Sequence, residues 1–103
     1  MAYKLLVTQK AEDDLDNIIG YTTGKLCNTE AAAALLDEIE GHYEVLEDNP
    51  YLYALCAQPL LRRGEYRKIA INGYLLFYRM DEVCKLVYVE RFFSELQDYA
   101  DKL

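Results

Sequence analysis

The chain is poor in the residue types that build metal centres and disulfide frameworks. Its 103 residues contain one histidine, three cysteines, two prolines and no tryptophan. Cys27, Cys56 and Cys84 are odd in number and far apart, which favours reduced thiols packed as small apolar groups over a disulfide or a metal site. We therefore expect no metal and no cofactor.

Long apolar runs are also missing. No segment approaches the roughly 20 apolar residues that a membrane helix needs, and the opening MAYKLLV is too short for a signal peptide. No internal repeat, low-complexity tract or linker interrupts the sequence. These features predict one domain over residues 1–103, located in the cytoplasm and without a membrane partner.

Basic side chains are scarce and unevenly distributed, in a chain whose net charge is −7. Residues 1–61 carry three basic against eleven acidic side chains, whereas residues 62–91 carry seven basic against four acidic. One interpretation is that the second region meets an anionic partner while the first is a solvated surface. The other is that these cations neutralise acidic helices within the same molecule.

Two amphipathic helices are predicted in the acidic half. A short apolar strand, residues 2–7, leads to Thr8, which can cap a helix whose first turns hold acidic side chains, as the helix dipole favours. This helix ends at Gly24 or near Cys27. A second begins at Asn28 or Thr29 and ends at the Asp48-Asn49-Pro50 segment, because proline cannot continue the hydrogen-bond ladder. The two helices form a hairpin.

A three-stranded β-meander is predicted from Tyr66 to Arg91, after a long connection over residues 49–65. Its first turn is Asn72-Gly73, the pair most typical of a two-residue type I′ loop. That loop fixes the register across the hairpin, with these pairs: Ile71 and Tyr74, Ile69 and Leu76, Lys68 and Phe77, Arg67 and Tyr78. A second turn lies near Asp81-Glu82, and the tail SELQDYADKL is helical in composition.

The register separates two faces of the predicted sheet. Ile69, Ile71, Tyr74 and Leu76, with Arg67 near the edge, make the better core face. The opposite face mixes cations with aromatic rings and is interpreted as a working surface; it carries Tyr66, Lys68, Phe77 and Arg79. The run from Tyr74 to Tyr78 is apolar throughout, so burial on both faces remains open.

The resulting order, β-α-α-β-β-β, predicts an α+β fold: an antiparallel sheet with a helical hairpin on one face and a C-terminal helical tail. This order, together with Tyr66-Arg67, Asn72-Gly73-Tyr74, Leu76-Phe77-Tyr78, Val89-Glu90-Arg91 and Asp98-Tyr99, resembles the RelE/ParE superfamily of type II toxins, the plasmid-stabilisation proteins. The resemblance also covers the Ala11 to Leu15 element and the Leu46 to Pro50 helix end. It spans nearly the whole chain.

The resemblance implies a growth-inhibiting toxin neutralised by a cognate antitoxin, with possible self-association inside the toxin–antitoxin complex. One branch of the superfamily cleaves mRNA in the ribosome without a metal, and the other inhibits DNA gyrase. In the nuclease branch, cations stabilise the scissile phosphate and a basic or tyrosine group activates the ribose hydroxyl. Whether this chain is an enzyme therefore depends on its branch.

Five residues are the candidate site. The resemblance indicates Arg67, Arg91 and Tyr99, and the charge pattern of the predicted working surface adds Lys68 and Arg79. Relatives often read Tyr-Gly-x-Arg-Asp-Tyr near the end, where this chain has Phe93 and Gln97 in place of the tyrosine and the arginine, so a proton-transfer group and a phosphate contact of the nuclease mechanism are missing. We therefore favour gyrase as the target. The alternatives are a RelE-type mRNA endonuclease and a non-toxic binding module of the same fold.

Overall fold

A computed structural model describes residues 2–95 of the chain. Its elements follow the predicted order, with a π-helical turn at Tyr21–Lys25 after the first helix: β1 (Lys4–Val7), α1 (Gln9–Gly20), α2 (Thr29–Asp48), α3 (Pro59–Arg63), β2 (Arg67–Ile71), β3 (Tyr74–Asp81) and β4 (Leu86–Ser94). The α+β class is confirmed. The short helix α3 lies inside the segment that was predicted as a connection, and the predicted C-terminal helical tail lies mostly outside the described residues.

Helix α1 begins at its predicted side-chain cap, Thr8, and α2 begins after Asn28, which caps that helix. The Thr8 hydroxyl accepts a hydrogen bond from the Ala11 N–H at 3.2 Å, and the Asn28 side chain accepts one from the Ala31 N–H at 3.0 Å. Each cap satisfies a donor that the first helical turn leaves unpaired. Helix α2 ends at Asp48, just before Asn49 and the buried Pro50. No helix within residues 2–95 is long and apolar enough to cross a membrane.

The sheet is mixed, with the strand order β1-β4-β3-β2. Strands β2, β3 and β4 form the predicted antiparallel meander, but β1 runs parallel to β4 and places that last strand inside the sheet. The sequence prediction of an antiparallel sheet did not include this parallel pair. The α1–α2 hairpin carries the chain away from β1, and the meander returns β4 beside it in the same direction.

The Asn72-Gly73 turn sets the predicted register. Asn72 and Gly73 have φ of 49° and 83°, as a type I′ turn requires, and all four predicted pairs between β2 and β3 are observed. Along β4 one extra residue, Glu90, interrupts the ladder, because Phe77 pairs with Arg91 while Tyr78 pairs with Val89.

The helical hairpin covers one face of the sheet. The core between them includes the predicted Ile69, Ile71 and Leu76, each at most 3 % exposed, with Tyr74 packed against it. Helix α2 contributes Leu35, Ile39 and Leu46 to the same core. The prediction of this core face is confirmed.

The opposite face is not an open working surface. Phe77 is fully buried there, together with Cys56, Leu61, Leu75 and Phe93. The residues that cover it come from the segment 55–66, which is tied to the sheet by the Leu55 to Arg67 bridge and by the Cys56 N–H donating to the Tyr66 carbonyl at 2.9 Å. Placing Phe77 on the working surface was therefore wrong, and the alternative of burial on both faces holds for β3.

Replacing either of two glycines with alanine is expected to change the free energy of unfolding, in opposite directions. Gly73 adopts a positive φ that costs an L-residue about 1–2 kcal/mol, so Gly73→Ala should lower the free energy of unfolding by about 1 kcal/mol. Gly41 lies on the exposed side of α2, where an added Cβ atom would have nothing within 4 Å, so Gly41→Ala should raise it by about 0.5–1 kcal/mol. Urea unfolding measures both, and equal signs for the two variants would contradict this explanation.

Candidate functional site

A cleft of about 660 Å³ opens where β3 extends beyond β2. Strand β2 begins at Arg67, opposite Tyr78, and so leaves the last residues of β3 without a neighbour on that side. The chain before β2 turns away at Glu65, whose φ is 61°. Ten residues line the cleft: Tyr51, Leu55, Glu65, Arg67, Arg79, Met80, Asp81, Glu82, Tyr88 and Glu90.

Arg67 lies at one wall of this cleft and is already engaged within the molecule. Its guanidinium donates a hydrogen bond to the Tyr53 carbonyl oxygen and stands 5.4 Å from the centre of the Tyr51 ring. Both contacts hold the loop that follows α2 against the start of β2. Arg67 therefore contributes to the shape of the cleft as well as to its charge.

Arg79 is the more accessible of the two cleft arginines. Its side chain is 44 % exposed, its guanidinium lies 5.0 Å from the centre of the Tyr66 ring, and its ion pair with Glu90 is long at 3.7 Å. A pair this loose and this exposed contributes little to stability. Of the four predicted site residues within residues 2–95, Arg67 and Arg79 are the two that line the cleft.

The other predicted residues are elsewhere. Lys68 is exposed on the face away from the helices, opposite Phe77, and its charge opposes the rise that burial causes in the pKa of Cys56. Tyr99 lies outside the described residues.

Arg91 is held in a structural ion pair with α1. Its Nε and Nη2 atoms donate to the two carboxylate oxygens of Asp14 at 2.6 and 3.0 Å, and both side chains are at most 20 % exposed. These hydrogen bonds raise the pKa of Arg91. Asp14 also accepts the Phe92 N–H at 3.0 Å, so one carboxylate fastens β4 to α1.

A cluster of two tyrosines and a glutamate borders the cleft and was not predicted. The Tyr3 hydroxyl donates to Glu82 Oε1 at 2.6 Å, and Tyr51 hydrogen-bonds the same carboxylate. These donors lower the pKa of Glu82 to about 2, while the carboxylate raises the pKa of Tyr51 to about 12. The three residues are far apart in sequence, so no local pattern could have indicated the cluster.

The cluster predicts a specific acid dependence of stability. The folded state depresses the pKa of Glu82 below its ordinary 4.5, so the stabilisation is complete above pH 4.5 and is lost as the pH falls toward 2. We expect Glu82→Gln to flatten the fall in unfolding free energy over this interval, and Glu44→Gln, on exposed α2, to leave it unchanged. Urea unfolding at stepped pH measures both variants. Parallel curves for wild type and Glu82→Gln would contradict the assignment.

The described residues offer no group of three or more histidine, cysteine, aspartate or glutamate side chains placed to hold a metal ion.

Comparisons with known proteins agree with this architecture. A chain from the chromosomal ParDE TA system of P. aeruginosa shares the fold, with a TM-score of 0.69 and 20 % identity, over 90 % of this chain and 96 % of that one. The family model described as the ParE toxin of type II toxin-antitoxin systems, parDE, matches residues 5–99. The chain belongs to this ParE toxin family, which confirms the resemblance to the RelE/ParE superfamily. No curated protein matches it.

Proposed function

We propose that this ParE-family chain inhibits bacterial growth by acting on DNA gyrase, without cutting nucleic acid, and that a cognate antitoxin neutralises it. Membership in a toxin family of type II toxin–antitoxin systems supports the toxin role. The cleft supports gyrase over messenger RNA as the target. A metal-free nuclease needs cations directed at the phosphate, whereas the cleft arginines contact other groups of the protein and share the cleft with carboxylates.

The charge of the cleft is the observation on which this choice depends. Four carboxylates line it against two guanidiniums: Glu65, Asp81, Glu82 and Glu90 against Arg67 and Arg79. A polyphosphate backbone binds through many uncompensated cations, and an anionic transition state needs cations directed at it. Arg91, the third arginine of the candidate site, is bound by Asp14.

In the decisive experiment, the chain is expressed in a bacterial host to score growth and is then purified for a gyrase supercoiling assay. We expect arrested growth, loss of negative supercoiling by gyrase in vitro, and no new mRNA breaks at ribosomal A-site codons. Breaks at those codons with gyrase unaffected would select the RelE-type nuclease instead. Normal growth at high expression would select the non-toxic binding module.

Arg67 and Arg79, which line the cleft, are proposed as the centre of a partner-binding region. Lys68 is proposed as a member by the charge pattern, Arg91 as a structural support, and Tyr99 as a member by resemblance. Arg67→Ala and Arg79→Ala should each weaken gyrase inhibition or antitoxin binding by about tenfold. Lys10→Ala and Lys25→Ala remove the same charge from the exposed ends of the helical hairpin and should change neither. Titration of the purified variants, after a thermal melt has shown that each is folded, measures the difference, and equal losses at all four positions would refute it.

A further inference from the structure

The end of β3 presents an unpaired strand edge inside the cleft. We infer that this edge binds an extended segment of a partner polypeptide, that the segment pairs with the backbone of Met80, and that it carries a basic side chain. The inference concerns the binding mode of the cleft and holds whether or not gyrase is the target.

The direction of the Met80 backbone groups follows from the hydrogen bonds of the neighbouring strands. On the β1 side of β4, the carbonyls of Val89 and of Lys85, the residue just before the strand, accept hydrogen bonds from the Thr8 and Lys4 N–H groups at 3.0 and 2.9 Å. Because backbone groups alternate along a strand, those of Val87 also face β1 and therefore point away from β3. Val87 is the partner of Met80, so the Met80 N–H and C=O face the opposite edge of β3.

That edge has no strand beside it at this position. The pairing of β2 with β3 ends at Arg67 and Tyr78, and the chain leaves the sheet at Glu65. Among the described residues, no backbone hydrogen bond from another segment reaches Met80. An added strand would lie about 4.8 Å from β3, in line with β2, in the space that the cleft occupies. The cleft volume is within the range of ordinary ligand sites.

The charges of the lining favour a basic segment. Arg79 pairs with Glu90, and Glu82 is engaged by Tyr3, Tyr51 and Lys85. Within the described residues, the other two lining carboxylates, Glu65 and Asp81, have no ion-pair partner, and Asp81 accepts the Cys84 N–H at 3.0 Å. A lysine or arginine of the incoming segment supplies the missing cation, whereas an acidic segment adds to an excess of negative charge.

Three capped peptides test this inference. The lysine peptide is Thr-Val-Lys-Val-Thr, and the glutamine and glutamate peptides replace its central lysine with those residues. Titrated into ¹⁵N-labelled protein, the lysine peptide should shift the Met80 amide resonance and slow the hydrogen exchange of that amide. The glutamate peptide should bind at least about fivefold more weakly. N-methylation of the two valines blocks one edge of the extended peptide, and N-methylation of the lysine and the two threonines blocks the other. Only one of these two methylated peptides should bind more weakly, by about fivefold or more.

Two charge variants provide the matched control. Glu65→Gln should weaken the lysine peptide about fivefold and leave the glutamine peptide unchanged. Glu95→Gln makes the same charge change at the far end of the sheet, beside Gly73, and should affect neither. An unperturbed Met80 amide, equal binding of the lysine and glutamate peptides, or equal loss from both N-methylated forms would overturn the inference. If the Met80 amide became protected from hydrogen exchange as the protein concentration rose, with no peptide present, the occupant would be a second copy of the chain. That result would also overturn the inference.

Discussion

Phe77→Ala is expected to lower the free energy of unfolding by about 3–5 kcal/mol, the loss typical of removing a buried aromatic ring. Phe77 is fully buried, and its ring meets the Phe93 ring edge-on with a centroid distance of 5.9 Å. The substitution leaves a cavity between the sheet and the segment 55–66. Urea unfolding of the purified variant measures the effect.

Val83→Ala is the matched control, since Val83 lies in the turn after β3 with 93 % of its surface exposed. It should change the unfolding free energy by less than about 0.5 kcal/mol. A Phe77→Ala variant as stable as Val83→Ala would mean that the residues buried between the sheet and the segment 55–66 contribute nothing to stability. Phe77 would then belong on an accessible surface, as its place on the face of Lys68 and Arg79 had indicated.

Asp14→Ala is expected to destabilise the protein by about 2–3 kcal/mol more than Asp16→Ala. Removing the Asp14 carboxylate removes the acceptor of two hydrogen bonds from the Arg91 guanidinium and of one from the Phe92 N–H. Both side chains of the ion pair are at most 20 % exposed. Asp16 lies on the same helix but is exposed, so helix propensity changes equally in both variants. The difference between them therefore isolates the contacts with β4.

Arg91→Ala tests the same contact from the other side. It should destabilise by less than Asp14→Ala, because the Phe92 N–H keeps its acceptor. Denaturant unfolding of the two variants and of their double mutant gives the coupling energy of the pair. Additive losses, with no coupling between positions 14 and 91, would contradict the structural role of Arg91.

What could be predicted from the sequence was determined by local chemistry. The Asn72-Gly73 turn fixes φ at two residues, and the register of β2 with β3 follows from it without knowledge of the rest of the fold. Thr8 and Asn28 cap their helices through bonds that span three residues. In each case the interacting groups are close in sequence, so the pattern alone contains the information.

What could not be predicted depends on contacts between distant segments. The burial of Phe77 requires that residues 55–66 fold back over the sheet, and the hydrophobic pattern of β3 allowed that arrangement without requiring it. Asp14 and Arg91 are separated by 77 positions, so no local pattern indicated that Arg91, a candidate site residue, would pair with a carboxylate of the first helix. The charge count over residues 62–91 was correct, yet it gave no indication that Arg67 and Arg79 would share their cleft with four carboxylates.

The parallel pairing of β1 with β4 has a consequence for synthesis of the protein. Strand β4 lies between β1 and β3 and supplies Tyr88 and Glu90 to the cleft. A nascent chain that has not yet released β4 from the ribosome therefore cannot join its first strand to the meander, since β4 is the last strand to be made among the described residues. The cleft is completed only when translation of the described residues is almost finished, so incomplete chains lack the surface proposed to bind partners.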